Sequence, residues 1–330
     1  MKAVYPDHKV RRKGCSTIAD RSTPARFEST VRQLLSNFRA RRPIRAKTLL
    51  ITIFGDALEP RGGQIWLSHL ITLAGPLGVN ERLVRTSVYR LAQEKWLERT
   101  ASGRRSYYGL TDAGRRQTAD AEHRIYAASS SNWDRQWRLV IIPQKTISRT
   151  DRTGLKKELK WQGFGTLTAE TLIHPTADLS PVCRALTERD LADKAKVFCG
   201  HTINDHESPQ SLLDRCFELE QIAREYDLFN RRFEKLWRST RRKKLFDPES
   251  AFTARILLIH DYRRILLHDP DLPEELLPAH WPGTRARKRC AAIYRTLQEA
   301  ADRWTVSVCD DELNLLKPPD KHYRQRFSDS

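Results

Sequence analysis

The chain has 330 residues and a formal net charge of +18, with 59 lysines and arginines against 41 acidic residues. That length predicts two or three domains, and the arginine-rich excess points to a polyanionic partner, because guanidinium binds phosphate in a planar, bidentate way. Six cysteines without a CxxC pair argue against a zinc finger or a disulfide framework. The first thirty residues lack a secretory apolar core, and the longest apolar runs, 49–54 and 139–143, are too short to cross a bilayer, so a cytoplasmic protein with no membrane segment is expected.

Residues 1–43 read as a basic, largely disordered extension, with eleven lysines and arginines named from Lys2 to Arg42 opposed only by Asp7, Asp20 and Glu28. Within it Phe27, Val31, Leu34, Leu35 and Phe38 recur at helical spacing and mark a short amphipathic helix. Two roles stand open for this stretch: a solvated tail, or an arm that adds non-specific phosphate contacts.

Residues 44–126 form the first expected domain. A helix over Thr48–Leu58 buries Leu49, Leu50, Ile53 and Phe54, and a short strand follows at Gln64–Leu67. Ser68 is the expected N-cap of the next helix, which Gly75-Pro76 must stop. Asn80 caps a further helix over Glu81–Lys95. At 100° per residue Val84, Val88 and Leu91 share an inward face, with Arg82, Thr86, Tyr89 and Gln93 opposite and Arg85 and Arg90 on the flanks. Two strand-like runs at 96–99 and 106–110 are joined by Ser102-Gly103-Arg104-Arg105, and Thr111-Asp112 caps the helix that leaves the domain. This order is that of a winged helix-turn-helix, which places its reading helix in a DNA major groove and its arginine-tipped hairpin on phosphates or in the minor groove. Arg82, Arg85, Thr86, Tyr89, Arg90, Arg104 and Arg105 are therefore the candidate contacts to double-stranded DNA.

A small polar linker at 127–132 leads to a central domain over 133–207. Strands are expected at Trp133–Pro143, Thr166–His174 and Lys196–Cys199, with helices at Asp151–Trp161 and Leu186–Lys194, a split βαβ or ferredoxin-like order. Residues 211–316 read as helical, broken by the proline-punctuated stretch Asp269–Gly283, and 317–330 read as a loose polar tail. The fold class is α+β. Cys199, His201 and His206 match no established zinc spacing, and no metal is expected.

The stretches TLLITIFGD (48–56), NERLVRTSVYRLAQEKWLE (80–98), GRRSYYGLTDAG (103–114), LKKELKWQGFG (155–165) and HDYRRILLHDPDLPEELLPAHWPG (260–283) resemble the PaaX family, repressors of phenylacetic-acid degradation operons. The resemblance implies a winged helix, a central domain like a CRISPR-associated adaptation nuclease, and a helical C-terminal domain for dimerisation and effector binding. It also implies a homodimer that binds operator DNA and is released by an aryl-CoA thioester such as phenylacetyl-CoA, with no cofactor and no catalysis. Tyr262, Arg263, Arg264 and Trp281 are the effector candidates, guanidinium for phosphates and rings for the aryl group, against the alternative of core packing and helix-surface pairing. A nucleic-acid-processing enzyme and a non-enzymatic adaptor are the competing classes. Against the first, the leading central strand ends Ile142-Pro143-Gln144-Lys145, without the carboxylate a metal-dependent nuclease needs.

Overall fold

The computed structural model describes residues 22–41, 45–103, 105–126, 132–203, 208–241, 245–310 and 315–328. It opens with α1 (Ser22–Ala40) and α2 (Ala46–Ile53), and α2 continues into a wider π turn at Phe54–Leu58 and a 3-10 turn at Glu59–Arg61. Then come β1 (Ile65–Trp66), α3 (Leu67–Ala74), α4 (Glu81–Gln93), β2 (Leu97–Ser102), β3 (Arg105–Leu110) and α5 (Asp112–Tyr126). The strands form an antiparallel sheet of order β1-β3-β2. Leu49, Leu50, Ile53 and Phe54 are fully buried beneath it with Leu70, Leu73, Val84 and Leu91. Gly75 is the C-cap of α3, since Pro76 cannot continue the ladder. Ser68 is not the cap of α3: the helix starts one residue earlier, and extended Trp66 holds that position without a side-chain bond.

The central domain comprises β4 (Trp137–Ile141), α6 (Arg149–Trp161), β5 (Gly165–Thr166), β6 (Thr171–His174), α7 (Ser180–Glu188) and β7 (Lys196–Gly200). Its antiparallel sheet has the order β5-β6-β4-β7. Val140 and Leu172 of the sheet pack against Leu155, Leu159, Val182 and Leu186 of the two helices. The single strand expected over 166–174 is a tight hairpin, closed by Leu167 N–H to Thr171 O at 2.9 Å. The helix expected over 186–194 lies earlier, because Pro181 sits in its first turn and Asp190, with φ 55°, turns the chain out after Glu188.

The C-terminal domain contains α8 (Pro209–Cys216), α9 (Leu219–Thr240), α10 (Pro248–Leu266), α11 (Pro282–Cys309) and α12 (Lys321–Arg324). Asp247 caps α10, its carboxylate accepting the Ser250 N–H at 2.9 Å. Every residue from Ala251 to Tyr262 is buried, which explains why α10 shows no single apolar stripe: α9, α11, α1, α2 and α5 surround it.

Two expectations about the chain ends need correction. Helix α1 is no solvated arm, since Phe27, Val31, Leu34 and Phe38 are buried against α9 and α10. Phe27 meets Phe246 edge-on at 4.9 Å, and Phe38 meets His260 at 5.7 Å. Residues 1–21 lie outside the described residues. The tail is not loose either. Lys317 N–H bonds Arg61 O at 2.8 Å, Asp320 N–H bonds Pro60 O at 3.0 Å, and Tyr323, Arg326 and Phe327 are buried.

Candidate nucleic-acid interface

The geometry of α4 follows from its own sequence. Asn80 Oδ1 accepts the Leu83 N–H at 2.9 Å, and Glu81 lies at the positive end of the helix. Val84, Val88 and Leu91 are buried, so Arg82, Arg85, Thr86, Tyr89, Arg90 and Gln93 face solvent together. Tyr89 is 65% exposed, an unusual position for a large ring with no neighbour covering it. Arg85 is held by Glu81 at 2.7 Å one turn back, and the Thr86 hydroxyl donates to Arg82 O at 2.9 Å. The face presents cations, a hydroxyl and a phenol with a single acid at its edge.

Strands β2 and β3 form a regular hairpin closed by Ser102 opposite Arg105, with Gly103 in the left-handed region at φ 57°. Arg105 begins β3 on that tip, and Arg104 lies outside the described residues. Arg99 Nε bonds Ser106 Oγ across the hairpin at 2.8 Å. Thr111 Oγ1 accepts the Gly114 N–H at 3.0 Å and starts α5.

What holds this domain in place was not foreseen from the sequence. The π turn aims Asp56 into the protein, where its carboxylate meets Arg255 of α10 at 2.9 Å and accepts the Tyr126 hydroxyl at 2.6 Å. Arg255 also bonds Asp302 at 2.9 Å and the Tyr323 hydroxyl at 2.8 Å, and Arg61 meets Asp302 at 3.1 Å. From the tail, Arg326 pairs with Glu122 of α5 at 2.6 Å and bonds Asp56 O at 2.8 Å and the Tyr294 hydroxyl at 3.0 Å. Burial pushes the Tyr126 and Tyr294 phenols well above their usual range, so both stay neutral, Tyr126 donating to Asp56 and Tyr294 accepting from Arg326. The only sequence signal was the Gly55-Asp56 step ending an apolar helix; nothing local marked Arg255 or Arg326.

Comparison with known proteins fixes the family. Models described as "PaaX-like protein", "PaaX protein central Cas2-like domain" and "PaaX-like protein C-terminal domain" match residues 45–114, 130–212 and 217–307. The Transcriptional repressor PaaX of Escherichia coli is 37% identical over 290 residues, covering 86% of this chain and 90% of that protein. The chain belongs to the PaaX-like family. A solved structure of an uncharacterized protein from Mycobacterium tuberculosis aligns with a TM-score of 0.46 at 22% identity, covering 72% of this chain and 90% of that one.

The four effector candidates that PaaX-like membership made interesting are not brought together. Tyr262 and Trp281 line one cleft with Tyr226, Asp269 and Arg287. Arg263 points instead into a narrow crevice against α2 and α5, beside Asp56, Thr118 and Glu122, and Arg264 is exposed on the surface. Adjacent residues on a helix diverge by about 100°, which is why the Tyr-Arg-Arg run cannot act as one cluster. The Tyr226 hydroxyl donates to Asp269, and burial raises the Asp269 carboxyl above its ordinary range. Trp281 meets Tyr226 edge-on at 6.1 Å. Among the described residues no group of three His, Cys, Asp or Glu side chains gathers to hold a metal, and no helix is long and apolar enough to cross a membrane. His206 lies outside the described residues, and His201 is exposed.

Proposed function

We propose that this protein is a transcriptional repressor, not an enzyme, that binds operator DNA of a phenylacetate-type catabolic operon through a winged helix-turn-helix. The observation that carries the reading is the outer face of α4: Arg82, Arg85, Thr86, Tyr89 and Arg90 exposed together above a buried apolar face. The β1-β3-β2 sheet and the hairpin after α4 support the winged form. The order β5-β6-β4-β7 supports a ferredoxin-like centre built from a split βαβ unit.

A cytoplasmic homodimer would set two α4 helices on half-sites about one helical turn, or a multiple, apart. An aryl-CoA thioester would lower operator affinity by binding the off-DNA conformation better. The cleft at Tyr262 and Trp281 supports an aryl group there. Its carboxylates Asp269, Asp271 and Glu274 favour leaving the CoA phosphates outside.

The test is a mobility-shift assay with DNA flanking the gene, in magnesium, with and without phenylacetyl-CoA. Shifted, intact DNA released by the thioester is the expected result. Cleaved DNA, or no shift at low salt, overturns the reading.

A further inference from the structure

Helix α1 precedes all three matched family regions, the first of which begins at residue 45. Its inner side is fixed by Phe27, Val31, Leu34 and Phe38, and its end by Arg41, which pairs with the buried Asp261 of α10 at 3.2 Å. Asp261 also takes Arg232 of α9, so α1 is anchored to the helical domain by packing and by charge. The outer side carries Arg26, Ser29, Arg32, Gln33, Ser36, Asn37 and Arg39, all exposed. The helix's one acid, Glu28, is half-buried on the flank.

Arg39 ties this outer side to the candidate reading helix. Its guanidinium donates to Pro76 O at 3.4 Å, and a Cβ on Gly78 would collide with it. Pro76 and Gly78 form the turn between α3 and α4, and the α4 cap, Asn80, follows two residues later. Arg32 is seven residues before Arg39, so both lie on one face, about 10 Å apart along the axis, with Ser36 between them.

We infer that α1 is a second DNA-contacting element, its Arg32–Ser36–Arg39 face lying along the phosphodiester backbone that flanks the half-site read by α4. The inference rests on the repressor reading above. Duplex DNA is the favoured occupant because the face is continuous with the turn into α4 and its longer side chains all donate hydrogen bonds. Donors of this mixed kind, Arg, Ser, Asn and Gln, are those that hold phosphate without reading sequence. A membrane surface would need large apolar side chains among the arginines, and the face has none. In the full-length protein such contacts add affinity and salt dependence without changing sequence preference.

The experiment compares the full chain with its Arg32→Gln and Arg32→Gln/Arg39→Gln variants on two duplexes. One carries only the half-sites; the other adds about 10 base pairs at each end. Wild type should bind the longer duplex about tenfold more tightly at low salt, with a steeper salt dependence, by about one unit per contact. The double variant should bind both duplexes alike, and keep its preference for operator over unrelated DNA. Arg32 has no ion pair among the described residues, so the single variant should retain the wild-type melting temperature while losing part of the gain. Arg39 also braces the turn, which makes the Arg32 variant the decisive one. If both variants match wild type on the longer duplex while Arg82→Ala loses operator binding, the α1 inference fails alone. If Arg82→Ala also binds normally, the reading of α4 fails, and the inference with it.

Discussion

Asp56 and Arg255 face each other 2.9 Å apart with both side chains sealed from solvent, one from the N-terminal domain and one from the middle of α10. Around them Asp302 and Glu122 are answered by Arg61 and Arg326, so three carboxylates meet three guanidiniums in one buried cluster. A cluster of this kind contributes little net stability over an apolar core, yet losing one member is expensive, because the partner charge stays buried and unpaired. Its mechanical effect is to fix α2 and α5 on the helical domain, so that α4 and the hairpin are carried on a rigid frame. Asp56→Ala should destabilise the protein by about 3–5 kcal/mol. Urea denaturation monitored by tryptophan fluorescence measures this, and a loss below about 1 kcal/mol would mean the cluster is solvated in solution.

The tail closes the same cluster. Removing residues 320–330 deletes Phe327 and Arg326, whose ring and guanidinium lie against Tyr126 and Tyr294, and Tyr323, whose hydroxyl meets Arg255 and Asp302. It also leaves Glu122 and the carbonyls of Gly55 and Asp56 without their donor. The truncated chain should melt well below wild type, and Arg326→Ala alone should cost about 3 kcal/mol. A truncation with the wild-type melting temperature would return the tail to the role of a solvated extension.

His174 makes stability pH-dependent in a defined direction. Its Nδ1 accepts the N–H groups of Thr176 and Ala177 at 3.0 and 2.7 Å, so the proton sits on Nε2, which donates to Pro270 O at 2.9 Å. Burial lowers its pKa from 6.5 to about 4, opposed only in part by the Pro270 bond, and a second proton would oppose two N–H donors at Nδ1. The unfolded chain therefore takes up this proton first as pH falls below 6.5, and the folded state loses stability from there down to about 4. Between pH 7 and 5 the loss should be about 2 kcal/mol for this one group. His174→Gln should flatten that slope by the same amount; an unchanged slope would show that the ring titrates in the fold as it does in the unfolded chain.

The residues of α4 were legible because their determinants are local. A cap at Asn80, a helical period in Val84, Val88 and Leu91, and a Gly-Pro stop before them all lie within about twenty residues. Helix α1 was legible as a period but not as a packed element, since its four buried residues depend on α9 and α10, more than 170 positions later. The tail misled for the same reason: KHYRQRF is a polar string until Tyr126, Tyr294 and Glu122 are placed around it. Beyond the Gly55-Asp56 step that ends an apolar helix, Asp56 carries no local mark of its role, because a π turn has no cap or spacing rule of its own. The sequence named Tyr262, Arg263 and Arg264 as effector candidates, and the 100° step between adjacent helical residues sends them to a cleft, a crevice and the surface.

The last prediction concerns how α4 balances affinity against selectivity. Arg82 is free of ion pairs among the described residues, whereas Arg85 is held by Glu81, and both lie in the opening turns that the proposed reading sends into a groove first. Arg82→Ala should cost about 1–3 kcal/mol of operator binding with no change in melting temperature, because the side chain is exposed. Arg85→Ala should cost less, since its charge is already partly answered by the carboxylate one turn back. Glu81→Gln should act in the opposite sense: it releases Arg85 and removes the one acid on the face, so binding to unrelated DNA should strengthen more than binding to operator. Titrating the three variants against operator and scrambled duplexes at one fixed salt concentration separates these effects. Equal losses on both duplexes for Arg82→Ala would show that it holds phosphate and reads no base. A Glu81→Gln variant that binds both duplexes as wild type does would show that this helix does not face the DNA.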